Sequence, residues 1–111
     1  MPVGVSMSWL GGWEGYRVER IERRDGETPE IWLHLGCQPG GGMICDGCGG
    51  QVESVHDVEM RAVRDLPILE ARTRLSVPRR RVACPRCGRK LERLTWLDRH
   101  ARVTRRLADR V

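Results

Sequence analysis

The chain has 111 residues, contains no phenylalanine, and has one tyrosine, Tyr16. Large apolar volume must therefore come mainly from four tryptophans, Trp9, Trp13, Trp32 and Trp96. A chain of this length supports one modest core, and a core this lean ordinarily needs a covalent or metal staple. No run approaches the roughly 18 apolar residues of a membrane span, and the first residues lack a basic-then-apolar signal pattern. These absences predict a cytoplasmic protein without a membrane partner, in which paired cysteines bind metal more readily than they form disulfides.

Signals for catalysis are missing too. No glycine-rich loop matches a phosphate-binding pattern, and the GGWEG run at residues 11–15 reads as a turn. Serines are few (Ser6, Ser8, Ser54, Ser76) and none is framed as a nucleophile. The carboxylates fall on what look like strand exteriors, which is the pattern of solvated surface acids. No enzymatic activity is expected from these residues.

What is abundant is arginine, and it is unevenly placed. Residues 1–71 hold six arginines against twelve acids, a balance of −6. Residues 72–111 hold thirteen arginines and Lys90 against Glu92, Asp98 and Asp109, a balance of +11. A charge run alone is usually a solvated face, but a split this large points to a surface made for a polyanion.

The pattern of apolar residues predicts mostly strands. Residues 1–13 read as a loose lead-in. Tyr16, Val18 and, out of phase by one, Ile21 alternate with charges and predict a strand over 16–23. The turn signal RDGE at 24–27 and the run IWLHL at 31–35 complete an antiparallel hairpin. A segment near Glu53–Val63 is ambiguous in period and favours strand, with a break at Asp65-Leu66-Pro67-Ile68. Ala71, Thr73, Leu75 and Val77 alternate cleanly, and Pro78 either ends that strand or marks an edge. The tail predicts a basic helix over 98–111 with Asp98 as N-cap. Its apolar stripe is Val103, Leu107, Ala108 and Val111, and the stripe offers a surface for self-association or a partner helix through Val103, Leu107 and Val111.

Two matched segments carry the chemistry. CDGCGGQVE begins at Cys45 and CPRCGRKLE at Cys84, and they share both cysteines, the following glycine, an apolar residue and an acid. Two residues between cysteines let one tight turn aim both sulfurs at a single ion. The glycine frees the backbone so that amides can donate to the thiolates. Two such knuckles make a tetrahedral site of four thiolates, closed to water and therefore structural: one zinc on Cys45, Cys48, Cys84 and Cys87. The alternatives are a disulfide pair, a redox dithiol and unrelated cysteines, of which a redox motif seldom comes as two matched copies. Cys37 reads as a free thiol, and His34, His56 and His100 lack ligand spacing. The expected fold is a small β-rich zinc ribbon of the α+β class. It has antiparallel hairpins and two knuckles within residues 14–97, then the C-terminal helix.

A wider order of segments is familiar. A hairpin (YRVERIERRDGE, then IWLHL) precedes a first knuckle, then the block VRDLPILEARTRLSVPRRRVACPRCG and the basic stretch ERLTWLDRHARVTRR. Over residues 13–111 this resembles the N-terminal zinc-binding domain of the ISL-three family of insertion-sequence transposases. The resemblance implies the same four cysteine ligands and a role in binding the element's double-stranded DNA ends. It also implies a prokaryotic, nucleoid-associated setting. Members of that family continue into a helix-turn-helix and an acidic-triad catalytic domain, which these residues do not include. The residues expected to contact DNA are Arg79, Arg80, Arg81, Arg89, Lys90, Arg99, Arg102, Arg105 and Arg106. Arg86 and Arg89 stand close enough to a negatively charged thiolate centre to serve it instead. The rival expectations are a protein-interaction module scaffolded by zinc and an oxidoreductase using one cysteine pair.

Overall fold

A computed structural model describes residues 12–38, 42–68 and 70–110, without the side chain of Arg110. Most of the predicted lead-in, part of the glycine-rich connection and Val111 of the apolar stripe lie outside the described residues.

Among the described residues seven strands and one short helix follow in order: β1 (Tyr16–Arg24), β2 (Glu30–Cys37), β3 (Met43–Ile44), β4 (Gln51–Val52), β5 (Val55–Ile68), β6 (Ala71–Cys84), β7 (Gly88–Leu91) and α1 (Arg105–Arg110). The main sheet has the order β1-β2-β6-β5, with β7 also pairing β6, and β3 and β4 form a separate hairpin. The β1–β2 hairpin forms as its sequence predicts. The odd phase of Ile21 has a cause, because the β1–β2 register shifts between Val18 and Arg20. An extra residue there turns the following side chains by one position.

Three features differ from the reading of the sequence. The first is that β5 does not break at Asp65. It runs to Ile68 with a register shift between Asp65 and Ile68, so Pro67 is absorbed as an irregularity on an edge strand. The second is that β2 and β6 pair in parallel, Glu30 with Arg72 through His34 with Ser76, where only antiparallel hairpins were expected. That pairing is non-local, and the knuckle and β5 serve as the crossover. The third is the helix, which spans only Arg105–Arg110. Val103, expected on its stripe, instead bridges Arg64 beside β5. The cap is Thr104, whose hydroxyl accepts from the Leu107 amide at 3.4 Å, while Asp98 pairs with Arg105 at 3.5 Å. Among the described residues no helix is long and apolar enough to cross a membrane.

Pro78 sits inside β6, between the stretch paired with β2 and the stretch paired with β7. Its carbonyl accepts the Tyr16 hydroxyl at 3.0 Å and so faces that gap. In a strand the N–H and C=O of one residue point to the same side, so the proline's missing donor costs the β5 ladder nothing. Pro78 thus neither ends the strand nor lies on an edge strand, as the sequence suggested, but turns its donorless side to a stretch of β6 that has no ladder partner among the described residues.

The alternation of β6 puts Thr73, Leu75, Val77 and Arg79 on the buried side. The larger core joins Leu75 and Val77 to Leu33, Leu35, Val63, Trp13, Tyr16, Trp96 and Leu97. Trp13, placed by the sequence with the lead-in, belongs to this core. Tyr16 meets Trp96 edge-to-face at 5.5 Å, a favourable arrangement of aromatic quadrupoles. A second, smaller cluster is Met43, Cys45, Val52, Val82 and Cys84.

Candidate metal centre and its arginine surroundings

The first knuckle is built on the two-residue strands β3 and β4, where Met43 pairs with Val52. The second is the turn between β6 and β7, where Cys84 pairs with Gly88. Backbone bonds stitch them together. The Asp46 amide donates to the Leu91 carbonyl at 3.1 Å, and the Arg93 amide to the Ile44 carbonyl at 2.7 Å.

This arrangement gathers the four predicted ligands. The sulfurs of Cys45, Cys48, Cys84 and Cys87 all lie within 4.8 Å of one another, with Cys48 and Cys84 at 3.8 Å. Tetrahedral zinc with bonds of about 2.3 Å separates its sulfurs by about 3.8 Å, so the cage fits that ion. The two glycines that follow the knuckles have left-handed backbones, φ +74° at Gly49 and +81° at Gly88, as the sequence argument requires. Amides then reach the sulfurs: Gly47 donates to Cys45 at 3.3 Å and Gly50 to Cys48 at 3.4 Å. Gly47 has a second reason to be glycine, since a Cβ there would stand 3.1 Å from the Cys87 sulfur.

The thiols already differ in acidity. The Arg86 guanidinium, 3.4 Å from the Cys48 sulfur, and the Gly50 amide hold that thiol down at about 6. Backbone amides of Arg86 and Cys87 lower Cys84. Burial and the neighbouring sulfurs push Cys87 up to about 12. Unpaired thiolates crowded together repel, and a divalent cation removes that cost. Cys37 stands apart and directs its thiol to the Pro78 carbonyl at 4.0 Å.

The arginines sort into two groups. Arg79, expected at DNA, is 3% exposed and donates to the Glu92 carbonyl at 3.1 Å, with its Nε unpartnered. It occupies the buried phase of β6, which continues two residues beyond Val77. Arg80 grips Glu92 with two bonds, at 2.9 and 2.7 Å. Arg106 pairs with Asp65 at 2.6 Å. All three are engaged by acceptors of the fold, and burial takes Arg79 away from the surface where a ligand was expected to meet it. Arg105 is exposed but engaged, donating to the Thr95 carbonyl at 3.2 Å.

Arg81, Arg89, Lys90 and Arg99 instead surround one depression of about 230 Å³ beside the second knuckle, with Asp46, Glu59 and Arg61 also on its rim. Arg81 touches Asp57 at 3.4 Å and Arg99 touches Asp46 at 2.6 Å. The side chains of Arg89, Lys90 and Arg102 are exposed and make no ion pair among the described residues. Arg102 lines a neighbouring depression with Arg61, Arg64 and Arg74.

The reading of all carboxylates as solvated fails at two residues. Glu92 is 6% exposed and Asp65 is 4% exposed. Asp65 accepts from the Trp13 indole at 2.8 Å, the Thr104 hydroxyl at 2.7 Å, the Leu66 amide at 2.8 Å and Arg106. Burial pushes its pKa up, but Arg106 and the other donors outweigh this and hold it below the ordinary aspartate range. Both acids stood in legible places, Glu92 as the shared acid of the knuckle repeat and Asp65 as the acid of the RDLPI block.

Comparison with known proteins agrees with this geometry. Residues 42–87 match the family described as the zinc-finger of transposase IS204/IS1001/IS1096/IS1165. The chain is 50% identical over 106 residues, 93% of its length, to the transposase for insertion sequence element IS1001 of Bordetella parapertussis. It spans 25% of that relative's length. No solved structure matches the chain. The four-cysteine cage is that of one structural zinc, and the chain carries, at residues 42–87, the zinc ribbon of the ISL-three family of insertion-sequence transposases.

Proposed function

We propose that the chain is a non-catalytic, zinc-stabilised module that binds double-stranded DNA, the ends of an insertion element in a prokaryotic cytoplasm. Arg81, Arg89, Lys90, Arg99 and Arg102 are the contact residues. The observation that carries the reading is the convergence of Arg81, Arg89, Lys90 and Arg99 on one open depression, within the segment of balance +11. Zinc fixes the turn that presents Arg89 and Lys90, and the knuckle-to-knuckle bonds hold Asp46, and through it Arg99, beside them. Phosphate contacts of this kind position a protein on a duplex without reading its bases, so sequence preference is weak.

Charge reversal tests this. Arg81→Glu, Arg89→Glu and Lys90→Glu together are expected to weaken duplex binding by at least about 100-fold at moderate salt. The same reversals at Arg17 and Arg23, exposed on β1, should change it little. Fluorescence anisotropy with a labelled duplex gives both numbers, with zinc content confirming that the variants are folded. Unchanged affinity in the triple variant rules out this face. A saturable complex with a protein, with no DNA affinity, favours the interaction-module reading.

A further inference from the structure

Among the described residues β5 ends the main sheet, and its outer edge is only partly covered. The C-terminal segment reaches it at Arg64, whose amide donates to the Arg102 carbonyl at 2.8 Å and whose carbonyl accepts the Thr104 amide at 2.9 Å. The ladder from β5 to β6 is regular between Asp57 and Asp65. Backbone groups alternate in direction along a strand, so Ala62, Met60 and Val58 point their N–H and C=O the same way as Arg64, to the open side. An open strand edge of this kind is a template for pairing, and native proteins usually blunt it.

The side chains on this edge blunt it only in part, through Glu59 and Arg61, which pair with each other at 3.7 Å. Val58 is 53% and Met60 60% exposed, on the face opposite buried Val63 and Leu75. Glu59 and Arg61 project from the other face, with side-chain exposures of 55% and 29%. The run Val58-Glu59-Met60-Arg61-Ala62 is complementary to itself when reversed. Opposed antiparallel to a second copy about a two-fold axis at Met60, it sets methionine on methionine and valine on alanine. Glu59 then meets Arg61 of the second copy, twice. Moving the axis to Glu59 or Arg61 would instead oppose two like charges, which destabilises a cross-strand pair. The open backbone groups of Met60 also suit this register, because two residues that oppose each other across an antiparallel pair can exchange both of their hydrogen bonds.

We propose that the edge Val58–Ala62 of β5 is a homodimer interface formed by strand addition between two copies of this chain. The segment at Val103 limits the pairing to these five residues on each copy, so the dimer is reversible on dilution. Glu59 and Arg61 also border the basic depression, and pairing therefore sets the two depressions side by side. The proposal does not depend on DNA binding.

Sedimentation equilibrium of the full chain, with zinc bound and over a wide concentration range, tests it. The wild-type chain should dimerise on concentration. Glu59→Arg and Arg61→Glu should each weaken the dimer by about tenfold or more, because each variant opposes like charges to itself. An equimolar mixture of the two variants should regain near wild-type affinity as a heterodimer, since one copy then offers two cations and the other two anions. The mixture also shows that both variants are folded. A wild-type chain that stays monomeric overturns the proposal, and so do single variants that dimerise like wild type or a mixture that fails to recover.

Discussion

Cys45→Ser is expected to yield a chain with far less than one equivalent of zinc and without the fold of its ribbon. The region has little else to hold it. Its cluster is five buried residues, two of them ligand cysteines, and β3 and β4 are two residues each. A hairpin that short has no independent stability. Structural zinc contributes about 10–16 kcal/mol in zinc-finger peptides at neutral pH, comparable with the whole stability of a domain. Losing one thiolate of four should therefore lower the unfolding midpoint more than any surface change. Elemental analysis with a thermal melt measures both quantities. Cys37→Ser is the matched control and should keep full zinc, since its sulfur bonds the Pro78 carbonyl away from the cage. Retention of zinc and midpoint in Cys45→Ser would contradict the ligand assignment.

Asp65→Ala is expected to have the next largest effect, a loss of about 3–5 kcal/mol, as for breaking a buried ion pair by removing one partner. The carboxylate ties β5 to two separate parts of the chain, Trp13 before β1 and Thr104 with Arg106 at α1, and also accepts from the adjacent Leu66 amide. Its removal takes the carboxylate partner from the Arg106 guanidinium and leaves the Trp13 indole N–H and the Thr104 hydroxyl without this acceptor. The same site predicts a pH dependence. Its folded pKa lies below the ordinary aspartate value of about 3.9, so its contribution is full above that value. The contribution is lost as pH falls through the folded value. Asp65→Asn abolishes this term, so the stability gap between wild type and Asp65→Asn should be widest near neutrality and narrow in acid. Denaturant melts at several pH values give the gap directly. A gap that stays constant with pH would show that the carboxylate charge is not what holds these segments together.

Several features were readable from the chain because they depend on local chemistry. The four ligands followed from two matched knuckles, and the β1–β2 hairpin from alternation around an Asp-Gly turn. Even the bulge left a trace in the phase of Ile21. What was not readable depends on distant partners. The parallel contact of β2 with β6 is made across about forty residues of sequence, and no local pattern encodes it. Val103 has helical spacing to Leu107, but the open edge at Arg64 recruits it as a bridge. Arg79 was misassigned because a triplet of arginines reads as a charge run. The alternation Thr73, Leu75, Val77 already placed the next odd position inside. Asp65 and Glu92 carry the complementary lesson, since an acid becomes buried only where a specific cation or set of donors arrives from elsewhere in the chain.

The same sorting of arginines governs the central claim. A guanidinium spent on Glu92 or Asp65 releases no counterion when DNA arrives, whereas one facing open solvent does. The proposed contact set is Arg89, Lys90 and Arg102, which make no ion pair among the described residues, with Arg81 and Arg99, whose partners Asp57 and Asp46 lie at the surface and can be exchanged for phosphate. The most direct measurement is the affinity of the zinc-bound chain for a short duplex as a function of salt. About five phosphate contacts predict that log K falls against log salt with a slope of roughly −4 to −5. A slope near zero, or no duplex binding at low salt, would contradict the account.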